Sequence, residues 1–149
     1  MPVTTVDPEA LRTELRAAGL RVTEPRLATL GVLAEHPHAD AATVHRHVAP
    51  QLPGSSVQAV YNVLADLTDA GLLRRIEPAG SPARYERRTD DNHHHLVCTG
   101  CGRVEDVDCA VGAAPCLVPS QTHGFAVSEA EVIFWGRCPS CSFATDGED

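Results

Sequence analysis

The sequence predicts an α+β protein, with an N-terminal winged helix-turn-helix domain and a C-terminal zinc-stapled α/β dimerisation domain. Helical periodicity across the first half, followed by a basic β-hairpin, predicts the winged helix. Two Cys-x-x-Cys pairs in the second half predict the zinc, because each short loop delivers two thiolates to one tetrahedral ion. The pairs are Cys98/Cys101 and Cys138/Cys141.

Charge divides the 149-residue chain into two parts of different character. Residues 1–88 hold ten arginines and ten acidic residues, whereas residues 89–149 hold two arginines and ten acidic residues. We therefore expect two domains, 1–88 and 89–149, with a hinge at about 86–92. The acidic half would be repelled by DNA phosphates, so that only the first half could face DNA.

The ends of the chain and its cysteines predict a cytoplasmic protein. No apolar run is long enough for a transmembrane helix, and Met1–Asp7 lacks the basic and apolar regions of a secretion signal. Cys-x-x-Cys pairs in a reducing compartment are more often metal sites than disulfides, which leaves a structural disulfide as the less favoured alternative. We expect no membrane partner.

Three short helices are expected in the first fifty residues. Apolar residues four apart give the first helix one buried face, and Gly19 ends it. Thr23 is a good N-cap for the second helix, where Pro25 is tolerated in the first turn. Asp40 can cap the third helix, which runs to the stop at Pro50.

A fourth helix, at about residues 55–70, is clearly amphipathic. Ser55 is predicted to cap it, with Gln58 reaching back to complete a capping box. Gly71 ends it. The residues expected on its inward face are Val57, Val60, Leu64 and Leu67.

A β-hairpin follows, formed by Leu72–Glu77 and Ala83–Arg87 around a turn rich in proline and glycine. Helices closed by a basic hairpin describe a winged helix-turn-helix, in which the fourth helix enters the major groove and the hairpin lies against phosphates. The alternative is a small helical domain with a solvated hairpin. The arginines on or beside the hairpin are Arg74, Arg75, Arg84, Arg87 and Arg88.

The exposed face of the fourth helix carries side chains suited to reading bases. Gln and Asn can contact adenine through two hydrogen bonds, and an aromatic ring can pack on a thymine methyl group, which favours an A·T-rich duplex. Tyr61 could equally be a half-buried core residue. The predicted DNA contacts are Arg21, Arg26, Ser56, Gln58, Tyr61 and Asn62.

The second half is expected to form an antiparallel sheet of three strands. Two of them, 93–98 and 102–107, meet across the first cysteine pair, and Ala126–Trp135 is the third. Zinc would tie the last strand to the first in a module too small to be stable on core burial alone. An apolar sheet edge is commonly used to form a homodimer.

Histidines beside the zinc site predict a second metal. On a strand, His93 and His95 project to the same face. Further ligands are expected from Glu86, Asp106 and His38. Three imidazoles and two carboxylates suit Fe²⁺, Mn²⁺, Ni²⁺ or Zn²⁺ and disfavour Cu⁺.

Together these motifs resemble the ferric uptake regulator (Fur) superfamily, and most closely its actinobacterial FurA/CatR-type repressors of catalase-peroxidase. The resemblance implies a dimeric DNA-binding repressor with structural Zn²⁺ on the four paired cysteines and a regulatory metal, Fe²⁺, at His38, Glu86, His93, His95 and Asp106. It covers nearly the whole chain and is carried by Gly19–Thr23, Pro25-Arg26, Ala59–Leu64, Ala70–Leu72, Asn92–His95, Asp108–Gly112, Ala114–Leu117, Glu129–Ile133 and both cysteine pairs.

Two positions depart from parts of that superfamily. Its peroxide-sensing members carry Asp where this chain has Glu86, whereas Asn62 resembles those members rather than the many iron-sensing ones with Arg. The signal is therefore expected to be iron, peroxide or both. Cys109 and Cys116 lie outside the zinc set, either as a thiol switch that closes a disulfide on oxidation or as two inert thiols.

Two other functions compete with this interpretation. A zinc- or nickel-sensing repressor is the serious alternative, because these ligand types do not separate the first-row ions. A zinc hydrolase would use a metal-bound water, but it would need a substrate pocket and a general base that the sequence does not supply. We therefore expect a protein that is not an enzyme and has no small-molecule substrate.

Overall fold

The computed structural model describes residues 6–87, 93–108, 119–128 and 130–143. The chain divides into two compact units, residues 1–89 and 90–149. The first contains helices and a small sheet, and the second is built around another sheet. The fold class is thus α+β, as predicted.

Four helices and three short strands make up the first unit. The helices are α1 (Pro8–Ala17), α2 (Glu24–Glu35), α3 (Ala41–Val48) and α4 (Val57–Asp69). The strands are β1 (Ala39–Asp40), β2 (Arg74–Ile76) and β3 (Arg84–Glu86), paired antiparallel in the order β1-β3-β2. The predicted hairpin is confirmed as β2 and β3, while the extra strand β1 is too short to have a sequence pattern.

Side-chain caps begin α2 and α3 at the residues that the sequence predicts. Thr23 accepts a hydrogen bond from Arg26 N, and Asp40 accepts one from Thr43 N at 2.8 Å. A hydrogen bond from the Thr43 side chain is the largest cause that lowers the pKa of Asp40 below its usual value, and the backbone bond from Thr43 N lowers that pKa further. Gly19 adopts a φ of 76° after α1, a conformation that glycine reaches without steric cost.

The predicted capping box on α4 is wrong. The N-cap is Ser56, whose hydroxyl accepts a hydrogen bond from Ala59 N at 3.0 Å, so that the helix begins at Val57. Gln58 does not reach back and instead donates to Asn62. Because the cap moves by one residue, Val57 lies at the helix start with 40% of its surface exposed, rather than facing the core as predicted.

An apolar core holds the first unit together. It joins all four helices to the small sheet, with Tyr85 contributed by β3. The residue predicted to close α4, Gly71, has a φ of 81° and lets the chain turn into β2. The core residues are Leu11, Leu15, Leu30, Val32, Leu33, Ala39, Ala41, Val44, Val48, Val60, Leu64, Leu67, Leu73 and Tyr85.

The second unit is a three-stranded sheet followed by one helical turn. Its strands are β4 (His93–Cys98), β5 (Val104–Asp108) and β6 (Ile133–Gly136), in the order β5-β4-β6, and α5 (Pro139–Phe143) follows. The predicted antiparallel sheet is wrong in one pairing, because β6 runs parallel to β4. The third strand is also shorter than Ala126–Trp135, since it begins at Ile133.

Among the described residues, no helix combines the length and the apolar composition that a bilayer crossing requires.

Candidate metal centre and nucleic-acid interface

The two cysteine pairs meet in the second unit. Cys98 is the last residue of β4, and Cys141 lies in α5. The four sulfur atoms all lie within 4.8 Å of one another, and those of Cys101 and Cys138 are 3.8 Å apart. A tetrahedral zinc with bonds of about 2.3 Å separates its sulfur ligands by about 3.8 Å, so the four thiolates fit zinc.

The environment of these sulfur atoms favours a bound cation. The Cys98 sulfur accepts backbone hydrogen bonds from Cys138, Cys101 and Gly100, which lower its pKa to about 5. Hydrogen bonding to Cys138, and then to Cys98 and Cys101, raises the pKa of the Cys141 thiol to about 12. Four adjacent sulfurs therefore do not all ionise unless a cation balances their charge.

Gly100 is a residue of this centre that sequence analysis missed. A Cβ atom placed there would lie 2.9 Å from the Cys141 sulfur and 3.2 Å from its Cβ. The backbone can approach the cysteines this closely because glycine carries no side chain. Its position inside the first Cys-x-x-Cys loop was the available signal, but only the fold shows which sulfur it faces.

The first unit brings together two of the predicted regulatory ligands. His38 follows α2 and Glu86 ends β3, and His38 Nε2 lies 3.0 Å from Glu86 Oε2. Both side chains are buried, with 7% and 1% of their surface exposed. A buried carboxylate and imidazole in contact are a donor pair that suits a divalent first-row ion.

The second unit brings together the other three. His93 and His95 lie on β4, and their Nε2 atoms are 3.6 Å and 3.4 Å from the same oxygen of Asp106. Asp106 stands directly across from His95 in the antiparallel pair of β4 and β5. Both imidazoles are fully buried. The shared strand face follows from the two-residue period of a β-strand, while the metal-binding role of these residues stays a prediction.

The outward face of α4 carries the predicted base-reading residues. Gln58, Tyr61 and Asn62 are all exposed, and Gln58 Nε2 donates a hydrogen bond to Asn62 Oδ1 at 3.0 Å. Tyr61 exposes 46% of its surface, so it is a surface residue rather than a half-buried part of the core. Two amides and an aromatic ring remain available to base edges, and their contact with DNA stays a prediction.

The other three predicted DNA contacts differ in whether their side chains already form hydrogen bonds within the protein. Ser56 caps α4, and Arg21 is exposed. Arg26 donates to the Arg21 carbonyl oxygen at 2.7 Å and to Asp66 Oδ2 at 3.3 Å. The guanidinium of Arg26 therefore joins the start of α2 to α4, a role that spacing alone does not reveal.

The hairpin arginines are less available to phosphates than their number suggests. Arg75 pairs with Glu77, whereas Arg87 donates two hydrogen bonds to the Glu14 carboxylate on α1, at 2.6 Å and 2.8 Å. Arg84 also turns to partners inside the unit. Arg88 lies outside the described residues.

The two remaining cysteines, Cys109 and Cys116, also lie outside the described residues. Their thiol switch and its inert alternative both stay predictions.

Comparison with known proteins agrees with this architecture. The sequence profile described as "Ferric uptake regulator family" matches residues 17–134. The chain is 58% identical over 131 residues to "Transcriptional regulator FurA" of Mycobacterium tuberculosis, covering 88% of this chain and 89% of that protein. It is 60% identical over 121 residues to "Ferric uptake regulation protein 1" of Mycolicibacterium fortuitum, covering 81% and 75%.

A solved structure shows the same fold. The ferric uptake regulator of Pseudomonas aeruginosa, solved with manganese, superposes with a TM-score of 0.64 at 27% identity and covers 87% of this chain and 98% of that one. The profile spans most of the chain, and the relatives at 58–60% identity are regulators by name. The chain therefore belongs to the ferric uptake regulator family of transcriptional regulators.

Proposed function

We propose that this protein is a cytoplasmic, homodimeric repressor that binds an A·T-rich duplex operator when a regulatory metal is bound. Residues 1–88 form the DNA-binding domain, and residues 89–149 form the dimerisation and metal-binding domain. The observation that carries the proposal is a pair of buried ligand sets, one in each compact unit.

Structural zinc belongs to the four paired cysteines. Their sulfur separations suit a tetrahedral ion, and four thiolates leave no coordination position open for a signal or a substrate. Zinc supplies folding free energy to the second unit, because a preformed site does not exist in an unfolded chain. This centre is the constant part of the protein.

The regulatory metal takes His38 and Glu86 from the first unit and His93, His95 and Asp106 from the second. Nitrogen and oxygen donors accept Fe²⁺, with Mn²⁺, Zn²⁺ and Ni²⁺ as substitutes. The boundary between the two units, at residues 89 and 90, falls within the predicted hinge at about 86–92. Ligation from both sides of that hinge would fix the angle between the DNA-binding domains of a dimer.

Operator recognition belongs to α4 and its neighbours. Gln58, Tyr61 and Asn62 face outward from α4 and would contact base edges, whereas Arg21 would contact phosphates. A coupling between metal and DNA of about 1–3 kcal/mol would change operator affinity roughly 5- to 150-fold, which suffices for a switch.

The genes controlled are the catalase-peroxidase gene and the protein's own gene, and the signal is iron, peroxide or both. The high identity to the mycobacterial regulator FurA supports this branch of the family. Peroxide would act by oxidising a ligating histidine or by oxidising Cys109 and Cys116.

Metal-titrated operator binding tests the proposal. Fluorescence anisotropy of the full-length dimer on the A·T-rich duplex upstream of its own gene would be measured with Fe²⁺, Mn²⁺, Zn²⁺ or Ni²⁺, each with and without peroxide. We expect Fe²⁺ to strengthen binding and peroxide to reverse it. A response to Zn²⁺ or Ni²⁺ alone, at buffered physiological concentrations, would instead support a zinc or nickel sensor.

His93→Ala and His123→Ala form a matched pair for this experiment. His93 is a buried strand residue of the ligand set, whereas His123 is exposed and outside it. His93→Ala should keep the four-cysteine zinc and the dimer but lose the metal dependence of DNA binding. Metal-dependent binding by His93→Ala would contradict the proposed ligand set.

A further inference from the structure

His38 has a left-handed backbone conformation, which is uncommon for residues other than glycine. Its φ is 67°, in the left-handed region, and His123 is the only other non-glycine residue with a positive φ among those described. Such a conformation persists only where surrounding contacts hold it, and it is a common feature of functional sites. The strain therefore directs attention to the contacts that hold this ligand.

Two of these contacts come from β3 and act on the backbone of His38. Its N–H donates to the Tyr85 carbonyl oxygen at 3.0 Å, and its own carbonyl oxygen accepts from Arg84 NH1 at 3.2 Å. Arg84 Nε also donates to the Ser81 hydroxyl at 3.2 Å, which ties the other side of the guanidinium to the hairpin turn. The planar fork of arginine makes both contacts at once, as a lysine could not.

The same strand carries the carboxylate that His38 faces. Glu86 ends β3, and its Oε2 lies 3.0 Å from His38 Nε2. β1 continues the connection, because Ala39 pairs with Tyr85 and Asp40 with Arg84. Residues 84, 85 and 86 thus hold the carbonyl, the N–H and the imidazole of His38.

We propose that Arg84 is a positioning residue of the regulatory metal site, where its guanidinium holds His38 in the left-handed conformation that directs the imidazole to Glu86. The proposal rests on the proposed function, because it assumes that His38 and Glu86 bind the regulatory metal. Arg84 does not bind metal itself, since its guanidinium stays protonated and has no lone pair to donate. It also differs from the expected role of the hairpin arginines as phosphate contacts.

Titration of the zinc-loaded, full-length protein with Mn²⁺ tests the proposal. Arg84→Met keeps the length of the side chain and removes every donor, and we expect it to weaken Mn²⁺ binding roughly 10- to 100-fold, as loss of a ligand's supporting partner does. The matched control is Arg75→Met, which removes an exposed arginine of the same hairpin that pairs with Glu77. It should change Mn²⁺ affinity by less than about twofold, since exposed ion pairs contribute little.

The visible absorption of bound Co²⁺ supplies a readout that a general loss of stability would not change. At saturation, Arg84→Met should shift or weaken the ligand-field bands, whereas Arg75→Met should reproduce those of the wild type. If Arg84→Met does not fold, Arg84→Lys decides, because it keeps the positive charge and a single donor nitrogen but not the planar fork. We expect Arg84→Lys to lose roughly three- to tenfold in Mn²⁺ affinity.

Two outcomes separate the failure of this proposal from the failure of the proposed function. Wild-type Mn²⁺ affinity and an unchanged Co²⁺ spectrum in Arg84→Met, or in Arg84→Lys if the first does not fold, would overturn the role of Arg84. If His38→Ala also bound Mn²⁺ like the wild type, the regulatory ligand set itself would be wrong.

Discussion

The two compact units of this chain are stabilised by different physical means. The first contains a cluster of fourteen buried residues that joins four helices to a small sheet. In the described part of the second, the buried apolar residues are Val97, Cys98 and Val104. The second unit instead gathers four sulfur atoms within 4.8 Å of one another.

This difference predicts that a metal bound by the four cysteines matters more to the folding of the second unit than to the folding of the first. A sheet of fifteen residues whose described strands bury few apolar side chains gains little free energy from burial, so a metal held by the four cysteines is expected to add to the stability of this unit. We therefore expect removal of zinc and truncation of the core to affect different units, which gives the comparison a direct test.

The largest loss of stability is expected from a substitution in the four-cysteine site. Cys98→Ser removes a buried thiolate whose sulfur accepts three backbone hydrogen bonds, and it should abolish zinc binding and unfold the second unit. Structural zinc contributes about 10–16 kcal/mol of apparent binding free energy, which this sheet cannot replace. Metal analysis and amide hydrogen exchange would show zinc lost and the strands unprotected, with α1 to α4 still protected.

Cys116→Ser is the control for that variant, because Cys116 is outside the four-cysteine set. This control protein should retain one zinc per chain. If both units of Cys98→Ser lost their protection from amide hydrogen exchange together, the two units would not be stabilised independently.

Truncation of the helical core should have the next largest effect. Leu30 on α2 is fully buried in the core cluster, and Leu30→Ala should lower the free energy of unfolding by about 2–5 kcal/mol. Urea denaturation followed by helical circular dichroism measures the change. Zinc content should stay at the wild-type value. A loss of zinc in this variant would show that the stability of the second unit depends on the core of the first.

A smaller effect is expected from a methyl group placed against the zinc site. Gly100→Ala would bring a Cβ to 2.9 Å from the Cys141 sulfur, an overlap that typically costs about 1–3 kcal/mol. Gly136→Ala is the matched control, because its Cβ would meet nothing within 4 Å. Competition with a chelator should show weaker zinc binding for the first variant only, and equal affinities would contradict the close approach of Gly100.

The smallest effect is expected at the start of α4. Ser56→Ala removes the hydroxyl that caps the helix and should lower the stability of the first unit by about 1 kcal/mol. Ser55→Ala should change it by less, since its side chain does not cap α4. A larger loss in Ser55→Ala would restore the original prediction that Ser55 is the cap.

Sequence patterns predicted the elements that local chemistry controls. The caps at Thr23 and Asp40 and the turn at Gly71 lie where they were expected, because each depends on residues within a few positions. The cap of α4 was missed by one residue, since Ser55 and Ser56 are chemically the same and only packing of the helix selects between them. The length of the third strand was overestimated, because an apolar segment need not form hydrogen bonds with a neighbouring strand along its whole length.

The predicted ligand residues divide in the same way, into features that local spacing predicts and contacts that only the fold reveals. The spacing of His93 and His95 predicted two imidazoles on one strand face, and Asp106, which was predicted on the neighbouring strand, pairs directly with His95. Spacing could not reveal Gly100, the engagement of Arg26 with Asp66, or the contact between Arg84 and His38. These three depend on segments that are distant in sequence.

The amino-acid sequence alone predicted the α+β class, the division of the chain by charge, the four cysteines as one metal site and the family resemblance. Short-range periodicity and residue chemistry are sufficient for the first three of these, whereas the resemblance is carried by motifs spread over nearly the whole chain. Tertiary structure decided the parallel pairing of β6 with β4, the left-handed conformation of His38 and the hydrogen bond from Arg84 to the His38 carbonyl oxygen. Those features arise from contacts between segments that are distant in sequence. Their free energies therefore depend on interactions that no local pattern encodes.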